Sequence, residues 1–249
     1  MCLLIVCSRI HDGMPLIVGA NRDEQLARPA VPMTVLRDTS PRIVGGRDEV
    51  AGGTWLAVND AGVVAGLTNR PLPDGRDLSR RSRGELPMLL AGRPSADAAV
   101  DAFTVDVHPG NYNPCWLVVA DRRTAYFIDL TDPEVPAVRE LPPGVHVLEN
   151  RAIDTQSPKL DHVRRLVAGV ERMDGADAAE RLRVVLGDNT LPAGEEFPGA
   201  ANCVHTDRGY GTRWSAVISV ADDQRPPALS YADGPPCVTP FVDAAPYWS

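Results

Sequence analysis

The chain has 249 residues, of which 44% are hydrophobic and 23% charged, which is enough for one large domain with a substantial core. Its net charge of −8 argues against a general binder of nucleic acids or anionic membranes, because both are polyanions. The length therefore fits a single domain over residues 1–249 or two small domains, and the charge favours a small-molecule partner over a nucleic acid.

The five cysteines are odd in number, widely spaced and without a CxxC pair; they are Cys2, Cys7, Cys115, Cys203 and Cys237. This pattern predicts free thiols in a reducing cytoplasm and argues against a disulfide framework or a zinc site. The first apolar run is too short for a signal peptide, and no stretch reaches the roughly 18 apolar residues of a membrane span. Abundant Ala, Arg, Gly and Pro, with Lys159 as the only lysine, indicate a GC-rich bacterial genome.

The beginning of the chain predicts a β-hairpin. Apolar runs at residues 3–7 and 15–20 flank Asp12-Gly13, and Asp-Gly between apolar runs is a strong hairpin signal. With Asp12 and Gly13 as the two loop residues, Cys2 lies opposite Asp23, and a bulge would shift this pairing by one residue. The hairpin thus brings a thiol beside a block of polar residues.

Cys2 directly follows the initiator methionine, and a residue of this size permits removal of Met1. The exposed α-amine, with a reference pKa of about 7.7–8.0, would then act as a base for the thiol of the same residue. Asp23 would accept a hydrogen bond from this amine, and Arg22 would favour the thiolate. The alternative is that Cys2 is a small core residue, since free cysteine is among the most buried residue types.

Between residues 28 and 69 the pattern predicts extended segments. Prolines hold residues 28–32 out of a helix. The glycine-rich segments 43–48 and 51–54 are typical of turns, or of backbone that lies close to a ligand. Residues 55–59 and 63–68 predict a second hairpin, which ends at Asn69-Arg70.

Two helices follow. Ser82 to Glu85 has the spacing of a capping box and predicts a helix that continues through Leu90. Ser95 is expected to cap a helix over residues 96–104. Three arginines lie near the predicted start of the first helix, namely Arg80, Arg81 and Arg83. They either form a solvated charged face or meet an acidic group of a substrate.

The second half predicts strands, then helices, then strands. The predicted strands cover residues 115–120, 124–129, 137–141, 145–148 and 214–220, with one or two edge strands in the tail. Ser157-Pro158 begins one helix, and residues 176–186 form another. Helices between runs of strands favour a layered sandwich.

A long crossing over residues 187–212 contains Cys203 and His205. On a strand the two side chains would share a face and form a dyad. Without a third group to orient them, an ordinary pair of neighbouring residues is the simpler interpretation.

Several motifs together resemble a known family. Asn21-Arg22-Asp23-Glu24 follows an N-terminal Met-Cys, and further motifs occur at residues 52–56, 66–71, 82–86 and 210–213. These resemble the NRDE family, also called the transport-and-Golgi-organisation family. That family is similar to the choloylglycine hydrolase and penicillin V acylase group of N-terminal nucleophile (Ntn) hydrolases. The resemblance implies an α+β fold, a four-layer αββα sandwich, and amide hydrolysis without a cofactor or metal; it also allows a homo-oligomer.

The resemblance implies roles for five catalytic residues. Cys2 matches the nucleophile and Asp23 an aspartate of the active centre. Asn69 matches an asparagine whose amide helps to form the oxyanion hole, and Asn150 matches an active-centre asparagine at a strand end; together they would hold the oxyanion. Arg213 would face the nucleophile. The alternatives are turn or strand-end positions for both asparagines and an ordinary strand-start position for the arginine.

One position departs from the bile-salt hydrolases, which carry Arg-Asn-x-Asp after the first hairpin. Their arginine falls on Ala20 here, and Arg22 lies two residues later, on the same face of a strand. Arg22 would replace the missing cation or serve a different ligand. We expect substrate contacts from four polar residues of the motifs, namely Asn21, Arg22, Glu24 and Arg70.

Two functions follow from the sequence. The first is an Ntn amidohydrolase acting on a linear amide or thioester, with Cys2 as nucleophile. The second is a non-catalytic binding or trafficking protein that uses the same cleft for a lipid-, acyl-CoA- or haem-like ligand. Fold alone does not decide between them.

Overall fold

The computed structural model describes residues 2–153 and 155–249. Met1, whose removal the sequence predicts, lies outside the described residues. The strands in chain order are β1 (Leu3–Ser8), β2 (Leu16–Gln25), β3 (Ala30–Arg37), β4 (Ile43–Asp48), β5 (Leu56–Asn59), β6 (Val64–Asn69), β7 (Cys115–Ala120), β8 (Ala125–Leu130), β9 (Ala137–Glu140), β10 (Gly144–Leu148), β11 (Tyr210–Val220), β12 (Ala228–Ala232) and β13 (Val242–Asp243). The helices are α1 (Glu85–Ala91), α2 (Ala96–Asp106), α3 (Pro158–Leu166) and α4 (Gly175–Gly187).

The strands form two antiparallel sheets. The first sheet has the order β10-β1-β2-β11-β12-β13, and the second has the order β3-β4-β5-β6-β7-β8-β9. Helices α3 and α4 pack on the first sheet, and α1 and α2 pack on the second. The chain therefore has the predicted α+β fold, a four-layer αββα sandwich.

Alternation along β1 shows why the layers form. Leu4 and Val6 belong to the large core between the sheets, whereas Leu3, Ile5 and Cys7 face the helices of the first sheet. A strand that is apolar at every position buries both faces, as a central strand covered by a second sheet and by helices must. The two cores fix β1 on both sides, and its N-terminal end carries Cys2.

The first hairpin has a longer loop than predicted. Leu3 pairs with Asn21 and Ser8 pairs with Leu16, so the connection comprises residues 9–15. Arg9 adopts a positive φ of 57°, and its N–H donates to the carbonyl of Pro15 at 2.6 Å. The Asp-Gly signal located the turn correctly, but the two-residue loop is wrong, and the register shifts by one residue.

The glycine-rich segment 43–48 is a strand and not the predicted turn. A Cβ at Gly45 would lie 2.3 Å from the carbonyl oxygen of Leu56, and one at Gly46 would lie 2.4 Å from the ring of Trp55. Glycine here permits close packing of neighbours within the second sheet.

Helix α1 begins later than the capping-box pattern predicts. Its N-cap is Gly84, without a side-chain cap, because Ser82 Oγ instead accepts the N–H of Gly84 at 3.3 Å. The other predicted caps are confirmed: Ser95 accepts from Ala98, and Ser157 accepts from Leu160. Among the described residues, no helix has both the length and the apolarity needed to cross a bilayer.

Candidate functional site

A cleft of about 300 Å³ opens beside the N-terminal end of β1, and Cys2 and Asn69 line it. Its walls come from Cys2 just before β1, from β2 of the same sheet, from β6 of the other sheet, and from the loop before α1. Because both sheets contribute strand ends, polar side chains from distant parts of the sequence meet here. The cleft is the candidate site, although a larger groove of about 790 Å³ lies elsewhere, between α4 and the C-terminal strands.

The register of the first hairpin sets the neighbours of Cys2. The pairing of Leu3 with Asn21 sets Cys2 beside Arg22 and not beside Asp23, which corrects the predicted alignment. The backbone N–H of Asp23 still donates a hydrogen bond to the Cys2 sulfur, which lowers the thiol pKa. Asp23 thus contacts Cys2 through its main chain.

Burial is the largest influence on Cys2 and raises the pKa of its thiol; the negative charge of Asp23 adds to this, and the cation of Arg22 opposes it. The thiol is therefore held in its neutral form near pH 7 and needs a base before it can attack a carbonyl group.

Asn150 joins Cys2 to the second sheet. Its Oδ1 accepts the N–H of Cys2 at 2.6 Å, and its Nδ2 donates to the carbonyl of Asn69 at 2.7 Å. Both ends of the Asn150 amide are therefore engaged, one of them with the nitrogen that removal of Met1 would convert to an α-amine. Asn69 also lines the cleft, and its side chain makes no hydrogen bond within the described residues.

The carboxylate of Asp23 points away from the cleft, toward the helical layer. Thr212 Oγ1 donates to its Oδ1 at 2.6 Å, and the Nζ of Lys159 lies 4.0 Å from its Oδ2. Lys159 on α3 is only 3% exposed. A buried lysine is rarely tolerated without an anionic partner, so this pair fixes β2 against α3, next to the strand position beside Cys2.

Arg22 is the buried cation of the cleft. Its guanidinium lies 4.0 Å from the ring centroid of Trp55, a cation–π distance, and 3.4 Å from Asp48. Burial lowers the pKa of Arg22, while Cys2, Glu24 and Asp48 raise it. Nη1 of Arg22 is buried without a hydrogen-bond partner among the described residues. A donor in that position would be satisfied by an anionic ligand.

The cleft is richer in cations than the whole chain suggests. Six arginines and four acidic residues line it; the arginines are Arg22, Arg28, Arg76, Arg80, Arg81 and Arg83. Arg28 is neutralised by Asp48 in a two-bond pair of 2.8 and 3.1 Å. Arg83 is held by the carbonyl of Pro114, and burial lowers its pKa. The local excess of positive charge, in a chain of net charge −8, favours an anionic ligand.

Four predicted site residues do not line the cleft: Asn150, which is hydrogen-bonded to Cys2 and Asn69 beside it, and Asn21, Arg70 and Arg213. Asn21 alternates with Arg22 and points to the helices, where its Nδ2 donates to the carbonyls of Leu186 and Asn202 at 2.9 Å each. Arg70 is exposed beyond the end of β6. Arg213 is at a β-bulge between Thr212 and Trp214, away from the residues that line the cleft. Arg22, and not Arg213, is the cation beside Cys2.

Three further residues belong to the site and were not predicted from the sequence, namely Lys159, Asp48 and Trp55. A signal existed for the first, because Lys159 is the single lysine of the chain and lies among the buried residues of α3. The other two become neighbours of Arg22 only through the packing of the second sheet against the first, which no local pattern encodes.

Comparison with known proteins places this site in a family context. Residues 1–228 match the family model "Transport and Golgi organisation 2" (TANGO2). The human Transport and Golgi organization protein 2 homolog is 31% identical over 235 residues, which cover 84% of this chain and 83% of the human protein. The bovine homolog is 30% identical over 236 residues, with coverages of 84% and 83%. The predicted resemblance to the transport-and-Golgi-organisation family is confirmed. The label NRDE rests only on the motif at residues 21–24.

Solved structures give the fold. A Caenorhabditis elegans ortholog of N-acylethanolamine-hydrolyzing acid amidase superposes with a TM-score of 0.60 at 16% identity, covering 87% of this chain and 92% of that one. The C2A mutant of a conjugated bile acid hydrolase from Clostridium perfringens gives 0.60 at 11% identity, with coverages of 98% and 92%. The fold is that of the Ntn hydrolases.

The predicted bacterial source is wrong by this comparison, because the named relatives are from human, mouse and cattle. A bias toward arginine over lysine describes composition and does not establish lineage.

Proposed function

The chain belongs to the Transport and Golgi organisation 2 family and has an Ntn-hydrolase fold, and from this premise we propose that it is an amidohydrolase with Cys2 as its nucleophile. Its substrate is a linear amide or thioester that carries an anionic group. The observation that supports this most is the meeting of the Cys2 thiol, the Cys2 nitrogen and the amides of Asn69 and Asn150 at one end of the cleft.

The raised thiol pKa makes a base necessary, and the α-amine is the base that the geometry offers. After removal of Met1 the amine would donate to Asn150 Oδ1, at the position where the amide N–H does so at 2.6 Å. This hydrogen bond would leave the nitrogen lone pair free for the thiol proton. Asn150 is therefore a positioning residue for the amine in this proposal, a role that the sequence analysis assigned to Asp23.

The first half-reaction forms a thioester. Sγ of Cys2 attacks the substrate carbonyl carbon as its proton passes to the α-amine, and the carbonyl π electrons move to oxygen. The side-chain amide of Asn69, which has no hydrogen-bond partner in the described part of the chain, donates to this oxyanion; removal of one such donor costs about 3–4 kcal/mol in a known hydrolase. The tetrahedral intermediate collapses, and the leaving nitrogen or sulfur takes the proton from the ammonium group.

The second half-reaction restores the enzyme. The α-amine removes a proton from water, the hydroxide attacks the thioester carbonyl, and the same oxyanion position is used again. Collapse breaks the C–S bond and releases the carboxylic acid, and Cys2 recovers its proton from the amine. No cofactor takes part in either half-reaction.

The arginines of the cleft support an anionic substrate. Arg22 has a buried donor without a partner, and Arg83 is held by one carbonyl and has no paired carboxylate among the described residues. A carboxylate or phosphate on the substrate would complete both. The neighbours by fold include an acid amidase and a bile acid hydrolase, which supports amide chemistry but leaves the acyl group open.

Turnover on matched substrates tests the proposal. A panel of N-acyl amides and acyl thioesters is offered with and without a terminal carboxylate or phosphate, to wild type and to Cys2→Ala. We expect hydrolysis of the anionic members by the wild type, none by Cys2→Ala, and similar ligand affinity for both. Equal turnover by Cys2→Ala would contradict the proposal.

The second candidate is a binding or trafficking protein that uses the same cleft. The family name and the burial-raised thiol pKa favour it, since an unprocessed chain has a neutral thiol and an acylated nitrogen. This candidate predicts that wild type binds anionic acyl ligands without turnover, and that Cys2→Ala binds them equally well.

A further inference from the structure

A second cluster of reactive side chains lies outside the cleft. Cys203, His205 and Cys237 bring two thiol sulfurs and one imidazole nitrogen together, all within 4.8 Å of one another. Cys203 and Cys237 are 34 residues apart in the sequence, so no spacing motif announces the cluster. The amidohydrolase proposal uses none of these residues.

The distances between the three side-chain atoms are close to those around a single bound ion. Cys203 Sγ lies 3.4 Å from Cys237 Sγ and 3.5 Å from His205 Nε2, and the distance from His205 Nε2 to Cys237 Sγ is 3.0 Å. A tetrahedral zinc ion with Zn–S of about 2.3 Å and Zn–N of about 2.0–2.1 Å requires S···S and S···N separations of roughly 3.8 and 3.6 Å. Two distances are within about 0.4 Å of these values, and the third must open by about 0.6 Å. A trigonal planar ion needs a longer S···S separation of roughly 4.0 Å and fits less well.

The two cysteine segments are anchored to the same structural element. The N–H of Cys203 donates to the carbonyl of Asp188, the residue after α4, at 2.8 Å. A Cβ on Gly187, the last residue of α4, would lie 3.6 Å from the Cα of Cys237. The end of α4 therefore positions both sulfurs before any ion arrives, which lowers the ordering cost of binding.

The surroundings leave one coordination position open. Cys203 is buried, Cys237 is half-buried and His205 is exposed, and a groove of about 360 Å³ beside them is open to solvent. Water could complete a Cys₂His set from this side. Thiolate and imidazole ligands favour zinc over calcium or magnesium, which prefer oxygen.

We propose that Cys203, His205 and Cys237 bind one zinc ion, which ties the segment after α4 to the segment after β12 and keeps a water-accessible fourth position. The competing use of the two sulfurs is a disulfide, which would require them to approach from 3.4 Å to about 2.05 Å and would leave His205 without a role.

Zinc titration of the full chain tests this directly. The protein is reduced with a phosphine, stripped with a chelator and titrated with Zn²⁺ against a chromophoric competitor. We expect one equivalent bound with a Kd tighter than about 1 µM. Substitution of Co²⁺ should give thiolate-to-cobalt charge transfer and the visible bands of a tetrahedral ion.

Variants assign the ligands. Cys203→Ser, Cys237→Ser and His205→Gln should each weaken zinc at least about 100-fold, beyond the usual effect of a residue that only supports a ligand. Cys2→Ala, in the cleft, and His108→Gln, an exposed histidine elsewhere, should leave the affinity unchanged. His205→Cys should restore binding, which separates ligation from misfolding.

Three results would overturn the proposal: absence of stoichiometric zinc on the reduced wild type, affinity indifferent to all three ligand variants, or loss of binding in Cys2→Ala. A Cys203–Cys237 disulfide in air, together with no zinc uptake after reduction, would assign the sulfurs to redox chemistry instead. Failure of the amidohydrolase proposal leaves this test unaffected, because zinc binding is measured without turnover.

Discussion

The side chain of Asn150 connects Cys2 to the second sheet. By resemblance it is an active-centre asparagine, and in the fold it holds the Cys2 nitrogen with one amide atom and the Asn69 carbonyl with the other. It bridges the two sheets at the position of Cys2. An asparagine with both amide atoms engaged in this way orients other groups, and one N–H of its amide remains as a donor.

The pH dependence of Cys2 alkylation reports its environment. Because burial raises the pKa of the thiol, its neutral form persists above the ordinary value of about 8.5. In a chain with an uncleaved N-terminal tag, the alkylation rate should reach half its maximum above that pH. Removal of Met1 should lower the pH of half-maximal alkylation toward about 7.7–8.0, the pKa range of an α-amine. A half-point at or below pH 8 in the tagged chain would contradict the burial argument.

Arg22 gives a second test at the residue scale. Arg22→Gln removes a charge-assisted donor of roughly 1.5–3 kcal/mol, so the Kd of an anionic acyl ligand should rise about 10- to 100-fold. Arg70→Gln is the matched control, because Arg70 is exposed and outside the cleft. Calorimetric titration of both variants measures the effect. Equal losses in the two would show that overall charge, and not the buried position of Arg22, determines binding.

Lys159 and Asp23 form a buried ion pair between α3 and β2. Lys159→Met leaves the carboxylate without this cation, and we expect a loss of about 3–5 kcal/mol in the free energy of unfolding. The double variant Lys159→Met/Asp23→Asn should recover part of this loss, because no buried charge is then left behind. Urea denaturation measures the cycle, and strictly additive losses would show that the pair is not coupled.

At the scale of elements, the loop around Gly53 is held against the start of α1 by direct backbone contact. A Cβ on Gly53 would lie 2.5 Å from the carbonyl carbon of Gly84, and Thr54 N–H donates to the Gly84 carbonyl at 2.9 Å. Both glycines line the cleft. The close approach of backbone predicted for residues 51–54 is therefore an approach to the backbone of Gly84.

Gly53→Ala should therefore be costly, since neither backbone can yield easily. Overpacking of this kind destabilises by about 1–3 kcal/mol. Gly66→Ala is the comparison, because its Cβ would meet only the side-chain ends of Leu4 and Leu56 at 3.0 to 3.3 Å, which can shift. Urea midpoints should fall further for Gly53→Ala, and the reverse order would contradict the packing argument.

Helix caps and strands were predicted correctly where their signal lies within a few neighbouring residues. The caps at Ser95 and Ser157, and strands such as β7, follow from one short stretch of sequence each. The hairpin register failed because Arg9 takes a positive φ and lengthens the loop, a conformation its residue type does not announce. A slip of one residue moved Arg22, instead of Asp23, into line with Cys2.

At the scale of the whole molecule, the four layers were predictable only through resemblance to a family. The pairing of β2 with β11 joins residues almost 190 positions apart, as in the contact of Asp23 with Thr212. The Cys203, His205 and Cys237 cluster depends on the same long-range packing. Sequence patterns therefore do not predict a site whose residues come from several layers, whereas a motif such as residues 21–24 indicates one segment of that site.

Strand ends of both sheets meet beside Cys2, and the proposed function requires this residue to become an N-terminal nucleophile. Intact-protein mass before and after an activated acyl thioester tests this most directly, on wild type and on Cys2→Ala. We expect a wild-type chain lighter by one methionine, with one acyl adduct that Cys2→Ala lacks. A chain that keeps Met1, or an adduct of equal yield in Cys2→Ala, would contradict the proposed function and favour a cleft that binds without catalysis.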